Sequence, residues 1–153
     1  MGETSQMKKQ MDPRMHSAEH ILNQAMARIV GCGRCFSAHI EKKKSKCDYR
    51  VAEPVAGEVL ESVAAEVNRV IDADLPVTET VMGRETAADA FDLARLPEDA
   101  GEKLRIVAVG DYDRCPCIGV HVARTGEIGA FRITSASQEN GVLRIRFKLS
   151  VPG

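Results

Sequence analysis

The sequence predicts an α+β fold in which helices pack on an antiparallel sheet. Two segments, 15–29 and 59–71, place apolar residues at helical spacing. A third segment, 143–149, alternates strictly between apolar and charged residues and follows Asn140-Gly141, a strong hairpin signal. Because strands joined by hairpins accompany helices that are grouped rather than interleaved, an antiparallel sheet is favoured over a parallel one.

The first helix has clear start and stop signals. Asp12 is a good N-cap, Pro13 suits the first helical position and Gly31 is a plausible stop. Its apolar stripe consists of Met15, Ala18, Ile21, Leu22, Ala25, Met26 and Ile29. His16 and His20 fall on nearly the opposite side of the helix, so they are not core histidines. Two interpretations stay open for them, a pair of metal ligands and a pair of exposed surface histidines.

The later elements are predicted in chain order from periodicity and turn residues. They are a hairpin over 35–53 with its second strand at 47–51, a helix after Gly57 that ends at Leu75-Pro76, a short alternating strand at 77–82, a short helix at 87–91 followed by a polar loop, a buried strand at 104–109, and a strand at 128–135 after a turn at 125–126.

Composition limits the class of protein. The chain has 153 residues, 44% of them apolar, and a formal charge of −1, which predicts one domain over 1–153 with no global attraction to nucleic acid. Residues 1–11 are polar, and we expect them to be a disordered start or one added by cloning. Aromatic residues make up only 4%, which disfavours a protein that binds single strands by stacking bases.

One local cluster of basic residues stands out from the near-neutral total charge. It consists of Lys42 to Lys44 with Lys46, and a solvated loop is its simplest interpretation.

Cysteine usage and hydropathy predict a compartment. Five cysteines occur in a chain with no apolar leader and no stretch long enough to cross a membrane. We therefore expect a reducing cytoplasm, where cysteines are more often ligands or inert thiols than disulfides.

Two pairs of residues predict a metal site. His16 and His20 are spaced i,i+4, so a helix directs both imidazoles to one side. Cys117 and His121 form a second pair around Gly119, which allows a tight loop to present both side chains. Together the two pairs offer three nitrogen donors and one sulfur donor, a set that suits zinc. Cys115 is an alternative to Cys117 as the sulfur ligand.

Two other motifs compete with this interpretation. Residues 16–20 fit the H-x-x-E-H pattern of inverted zinc peptidases, in which Glu19 would be the general base. Those enzymes take a distal carboxylate as third ligand, so a peptidase is a minor alternative. The second motif, Cys32-x-x-Cys35, follows a helix rather than preceding one, unlike a thioredoxin-type motif.

Seven short motifs follow one another along most of the chain. They are 16–22 (HSAEHIL), 47–49 (CDY), 67–71 (VNRVI), 75–77 (LPV), 117–122 (CIGVHV), 125–129 (TGEIG) and 131–133 (FRI). In the order and spacing of these motifs, from about residue 14 to about residue 149, the chain resembles the editing domain of alanyl-tRNA synthetases, its free-standing AlaX relatives and the second additional domain of threonyl-tRNA synthetases.

The resemblance implies an α+β editing fold with zinc on His16, His20, Cys117 and His121. It implies hydrolysis of the ester that links a wrong amino acid to the 3′ acceptor end of tRNA. Glu19 would be a general base or, as the simpler interpretation, a solvated helix charge. Ser37, His39 and Gly119 would line the substrate pocket.

The family pattern usually reads Cys-Gly-Gly-Thr-His, whereas Ile118 and Val120 stand here in place of a glycine and the threonine. Since no synthetase core fits in this length, we expect the chain to act in trans, with Lys42 to Lys44 as a candidate phosphate contact. The leading hypothesis is a zinc-dependent deacylase of serine misattached to the alanine tRNA. The rival is a zinc-stabilised RNA-binding module without catalysis. Oligomeric state is not readable from the sequence.

Overall fold

The computed structural model describes residues 12–91, 93 and 101–150. The helices are α1 (Pro13–Ile29), α2 (Gly57–Asp72) and α3 (Arg84–Ala90), with a 3-10 turn at Thr125–Glu127. The strands are β1 (Ser37–Ile40), β2 (Ser45–Arg50), β3 (Val77–Gly83), β4 (Lys103–Val109), β5 (Asp113–Pro116), β6 (Phe131–Glu139) and β7 (Val142–Leu149). The expected disordered start, 1–11, and most of the polar loop after α3 lie outside the described residues. One domain over 1–153 stays a prediction.

The strands form two antiparallel sheets. The larger has the order β1-β2-β7-β6 and the smaller the order β3-β4-β5, and every neighbouring pair is antiparallel. The predicted α+β class with antiparallel pairing is therefore confirmed, with the strands divided between two sheets.

The turn between β6 and β7 is formed by Asn140 and Gly141, as predicted. Both residues have positive φ values, 52° and 77°. This conformation suits a two-residue hairpin loop and favours asparagine and glycine. It sets the register in which Ser135 lies opposite Arg146 and Ser137 opposite Arg144, beyond a bulge after Ile133.

Helix α1 begins where the sequence predicts. The Asp12 carboxylate accepts a hydrogen bond from the Arg14 amide at 2.8 Å, and Gly31 follows the helix with a φ of +83°. All of the predicted apolar stripe is buried except Ile29, which is 39% exposed in the last turn. The opposite side of the helix is buried as well, because the segment after β5 covers it.

Helices α1 and α2 pack on one face of the larger sheet, where the core lies. α2 buries Val63, Val67, Val70 and Ile71 as its periodicity predicts. The sheet contributes alternate residues of β2 and β7. The largest side chains buried in this core are Tyr49, Phe147, Met15, Ile21, Leu22, Met26, Ile128, Leu143 and Ile145. None of the described helices is both long and apolar enough to cross a membrane.

The smaller sheet differs from the prediction in two respects. The strand predicted at 77–82 is present as β3, but Thr78 to Val81 are all exposed instead of alternating, because β3 is an edge strand. β5 was not predicted, since its sequence, Asp-Arg-Cys-Pro, has no apolar alternation. It forms by pairing with β4, which places Cys115 opposite Val107.

Candidate metal centre

Four nitrogen and sulfur donors converge where α1 passes the ligand loop, residues 117–121, which follows β5. One donor atom from each of His16, His20, Cys117 and His121 lies within 4.8 Å of the other three. The structure thus brings together all four residues that the sequence predicts as ligands. Their binding of an ion stays a prediction.

The spacing of the donors suits a small tetrahedral ion. His16 Nε2 lies 3.3 Å from Cys117 Sγ. The His121 ring lies close to both helical histidines, with centroid distances of 4.2 Å to His16 and 4.4 Å to His20. Zinc bonds of about 2.0 Å to nitrogen and 2.3 Å to sulfur would separate neighbouring donors by roughly 3.3–3.5 Å. The cluster therefore needs little rearrangement to fit zinc.

The imidazoles of His16 and His121 are oriented through their Nδ1 atoms. His16 Nδ1 lies 3.1 Å from the Val120 carbonyl oxygen, and His121 Nδ1 lies 3.0 Å from Ser17 Oγ. Partners of this kind fix the ring of a metal-binding histidine and leave Nε2 as the donor to the ion. His20 is held similarly, with Nδ1 3.3 Å from Cys115 Sγ and 3.7 Å from Asp113 Oδ2.

One nitrogen in the cluster lacks a hydrogen-bond partner among the described residues. His121 Nε2 is buried and makes no hydrogen bond. Such an atom is costly to bury unless another group satisfies it. Since it is aimed at the other three donors, this orphaned nitrogen fits a metal ligand.

The protonation states of the ligand loop also suit a cation. Burial raises the pKa of the Cys117 thiol, but the neighbouring imidazoles of His121, His16 and His20 outweigh this effect and hold the pKa at about 3. Burial lowers the pKa of His121 to about 4, although Cys117 opposes this shift. A thiolate and a neutral imidazole are the forms that bind metal.

A second polar group supports His20 from outside the cluster. Asp113 accepts two hydrogen bonds from the Arg34 guanidinium, at 2.7 and 3.3 Å, and one from Gln24 at 3.0 Å. Burial opposes ionisation of Asp113, but His20 and Arg34 hold its pKa at about 2. Burial likewise lowers the pKa of His20, whereas Asp113, Cys115 and Cys117 raise it well above its usual value. Cys115 thus lies beside His20 in this overlapping group, while Cys117 joins the four-donor cluster.

Glu19 is buried, so the interpretation of a solvated helix charge is wrong. Its side chain faces inward because residues from β2 and from the segment before β1 cover this side of α1. Glu19 Oε1 lies 3.8 Å from His16 Nε2, and Oε2 accepts hydrogen bonds from Asn23 Nδ2 at 3.1 Å and Cys35 Sγ at 3.4 Å. The carboxylate therefore lies at the border of the metal cluster.

Asn23 is itself fixed in place. Its Oδ1 accepts hydrogen bonds from the Tyr49 hydroxyl at 2.7 Å and from the Cys35 amide at 3.3 Å. Burial raises the pKa of Tyr49 well above its usual value, which keeps the hydroxyl a donor. The network Tyr49–Asn23–Glu19 aligns the carboxylate without using the metal ligands.

Ser37 and His39 are not brought to the cluster. β1 turns Ala38 and Ile40 toward the core, so strand alternation directs Ser37 and His39 to the other face of the sheet. His39 instead pairs with Glu41, with Nε2 2.7 Å from a carboxylate oxygen. Their expected position in a pocket at the cluster thus differs from their position in the structure.

Gly119 lies within the ligand loop and its amide donates to Cys117 Sγ at 3.4 Å. The residues on either side of it are apolar and exposed, Ile118 by 62% and Val120 by 40%. Gly119 therefore helps to hold the thiolate, and its predicted contact with a substrate stays untested.

Three polar residues around the cluster are not among those predicted from the sequence. Ser17 accepts the Val122 amide at 3.1 Å as well as contacting His121, and its place between two histidines was an available signal. Asn23 lies one turn beyond Glu19, which was a weaker signal. Asp113 carried none, because it lies in the unpredicted strand β5.

The chain is similar to known proteins over most of its length. The family described as the threonyl and alanyl tRNA synthetase second additional domain matches residues 104–146, which include the ligand loop. An alanine–tRNA ligase from Coxiella burnetii (strain Dugway 5J108-111) is 38% identical over 126 residues, 81% of this chain and 14% of the ligase. One from Idiomarina loihiensis is 37% identical over 134 residues, 86% of this chain and 16% of the ligase.

The chain thus spans about a seventh of the length of the curated relatives it matches. The matched region covers most of the chain, and the fold is of the class that the resemblance implies. The chain is a relative of the second additional domain of threonyl and alanyl tRNA synthetases.

Proposed function

We propose that the chain hydrolyses the ester between a wrong amino acid and the acceptor end of tRNA, and that the amino acid is serine on the alanine tRNA. The proposal is supported by similarity to alanine–tRNA ligases over 81–86% of the chain. The observation that carries it is the position of a buried carboxylate, Glu19, at the border of a four-donor metal cluster.

The donor set fits zinc. His16, His20, Cys117 and His121 would hold the ion through three nitrogens and one sulfur, and the orphaned His121 Nε2 supports this assignment. Zinc bound there would supply positive charge that attracts the ester carbonyl, the amino group's lone pair or a water molecule.

The protein's own residues would supply the remaining steps. Glu19 accepts a proton from the water whose oxygen bonds to the ester carbonyl carbon, and it returns that proton to the ribose oxygen as the ester C–O bond breaks. The Asn23 amide holds the carboxylate in place through Oε2. The exposed side chains of Ile118 and Val120 flank Gly119 in the ligand loop, where they would be available to contact the incoming aminoacyl group.

Metal content tests the cluster. We expect about one zinc per chain in the purified protein, and loss of it in Cys117→Ala and His121→Ala. Cys32→Ala is the matched control, because Cys32 is a half-buried thiol outside the four-donor cluster. A wild-type chain without zinc, or full zinc content in both ligand variants, contradicts the proposed site.

A deacylation panel tests the reaction and its substrate together. Serine, glycine and threonine are each attached to the alanine and threonine tRNAs, and release by the purified chain is measured. We expect the fastest release for serine on the alanine tRNA, and a loss of about 100- to 10,000-fold in Glu19→Gln with zinc retained. No release above background from any substrate by the zinc-loaded chain rules out the enzyme.

The rival function is a zinc-stabilised RNA-binding module without catalysis. The exposed apolar side chains of Ile118 and Val120 favour it, because neither can hydrogen-bond a hydroxylated amino acid. Binding of the same aminoacyl-tRNAs, measured as an affinity beside the release assay, without hydrolysis of any of them identifies this function. A peptidase is disfavoured, since the four-donor cluster contains no carboxylate.

We also propose a cytoplasmic location. All five cysteines are free thiols, and a thiolate ligand requires a reducing compartment or a bound metal to stay reduced.

A further inference from the structure

The larger sheet has two faces of opposite character. Along β7, Leu143, Ile145 and Phe147 are buried in the core, so Arg144, Arg146 and Lys148 alternate to the outer face. No helix covers this outer face among the described residues, and Arg146 and Lys148 are exposed.

The neighbouring strands extend the same charge. Lys46 of β2 lies opposite Arg146, and Arg132 of β6 lies opposite Lys148. At the β2 end, Arg50 is exposed and its guanidinium carbon lies 4.1 Å from the centre of the Phe36 ring. We call the outward residues of β2, β6 and β7, together with the turn 42–44, the basic face.

Most of the carboxylates that accompany this face are already paired. Asp48 accepts two hydrogen bonds from Arg144, at 2.8 and 3.0 Å, and Glu41 pairs with His39. With Glu139, the basic face and its rim hold three of the chain's 22 acidic residues but nine of its 21 Lys and Arg. The rest of the chain therefore holds 12 basic and 19 acidic residues, so the total of −1 conceals a strong separation of charge.

The face suits phosphates arranged along a helix. Strands about 4.8 Å apart and a β7 of eight residues give an area of roughly 15 by 27 Å. Rows of Lys and Arg on such a surface bind the nucleic-acid backbone through charge and released counterions. Phe36 is the only exposed aromatic side chain in the described part of the chain, which disfavours stacking of a single strand.

We propose that the basic face binds the phosphate backbone of a double-helical RNA arm. This proposal rests on the proposed function, in which the RNA is the tRNA substrate. Because α1 packs on the opposite face of the sheet, the single-stranded 3′ end has to pass an edge of the sheet to reach the metal centre. The β1 edge is suited to this, since β1 has only four residues and Cys35, just before it, contacts Glu19.

The test is the affinity of Arg146→Glu/Lys148→Glu for an uncharged alanine tRNA, measured at several salt concentrations. We expect affinity to fall by about 10- to 100-fold near 100 mM salt. The slope of log affinity against log salt should fall by roughly 1.4–1.8, about 0.7–0.9 for each lost phosphate contact.

Arg69→Glu/Lys103→Glu is the matched control, because it changes the net charge equally at exposed positions on α2 and β4. We expect its affinity to stay within about 3-fold of wild type. Equal losses of tRNA affinity in both double variants overturn the proposal. It is also overturned if Arg146→Glu/Lys148→Glu keeps its affinity for tRNA but no longer binds phosphatidylserine vesicles that the wild-type chain binds.

The outcome is independent of catalysis. Glu19→Gln should bind the tRNA as wild type does, and the affinity measurement is unaffected if no substrate is hydrolysed. If no substrate is hydrolysed but the slope of log affinity against log salt falls in Arg146→Glu/Lys148→Glu, the result contradicts the proposed reaction and supports the basic face. Full affinity in the face variant with active hydrolysis contradicts the basic face alone.

Discussion

α1 and the ligand loop each contribute two of the four donor residues to one cluster, but they hold these side chains by different means. In α1 the backbone hydrogen bonds of the helix and the Asp12 cap fix the two histidines relative to each other. The ligand loop has no regular structure, and its shape depends on contacts with other elements. The Val120 carbonyl meets His16, the Val122 amide meets Ser17, and the Cys117 amide meets the Arg105 carbonyl at 3.1 Å. The helix is therefore a preformed half of the site, whereas the loop is completed by its partners.

Removal of metal should separate the two halves most strongly. We expect the Gly119 and Val122 amides to exchange hydrogen at least about 100-fold faster after chelation, because the ion would supply much of the loop's stability. The α1 amides should change by no more than a few fold. Hydrogen exchange followed by mass spectrometry measures both, and equal acceleration in the two segments contradicts the distinction.

Ser17→Ala should have the next largest effect. It removes the partner of His121 Nδ1 and of the Val122 amide, so zinc affinity should fall by about 10- to 100-fold. A competition titration with a chelator measures this change. Ser62→Ala is the matched control, since the Ser62 hydroxyl on α2 contacts only the Glu58 carbonyl at 3.2 Å in the described chain. Unchanged zinc affinity in Ser17→Ala would show that the loop is positioned without the helix.

Asp12→Ala should have the smallest effect. Loss of the N-cap should lower the free energy of unfolding by about 1 kcal/mol while zinc affinity stays the same, because the helix hydrogen bonds still orient His16 and His20. Urea unfolding and the chelator titration measure the two quantities. A large fall in zinc affinity would mean that the histidines depend on the end of the helix.

The same difference decides what the sequence could predict. The helix, its ends and its histidine pair follow from local signals, as do the Asn140-Gly141 turn and the alternation of β7. The four donor residues that the structure brings together could be predicted because their residue types and spacings are chemical signals that do not depend on the fold.

The remaining features depend on neighbours distant in sequence. Glu19 is buried because Cys35 and Cys47, which are distant in sequence, lie against it, and nothing near residue 19 indicates this. β5 forms only through pairing with β4. Ser37 and His39 lie on the outer face because the register of β1 against β2 places them there.

The two-residue turn between β6 and β7 has a consequence for the whole larger sheet. Since successive side chains of a strand point to opposite faces, one extra residue at Asn140-Gly141 that shifted β7 by one position would bring Arg146 and Lys148 inward and Phe147 outward. Packing of the core and the basic outer face would be lost together, because a misaligned strand would bury unpaired cations and expose aromatic surface to water. The two residues with positive φ, Asn140 and Gly141, thus set the register that keeps the apolar face of the sheet on one side and the cationic face on the other.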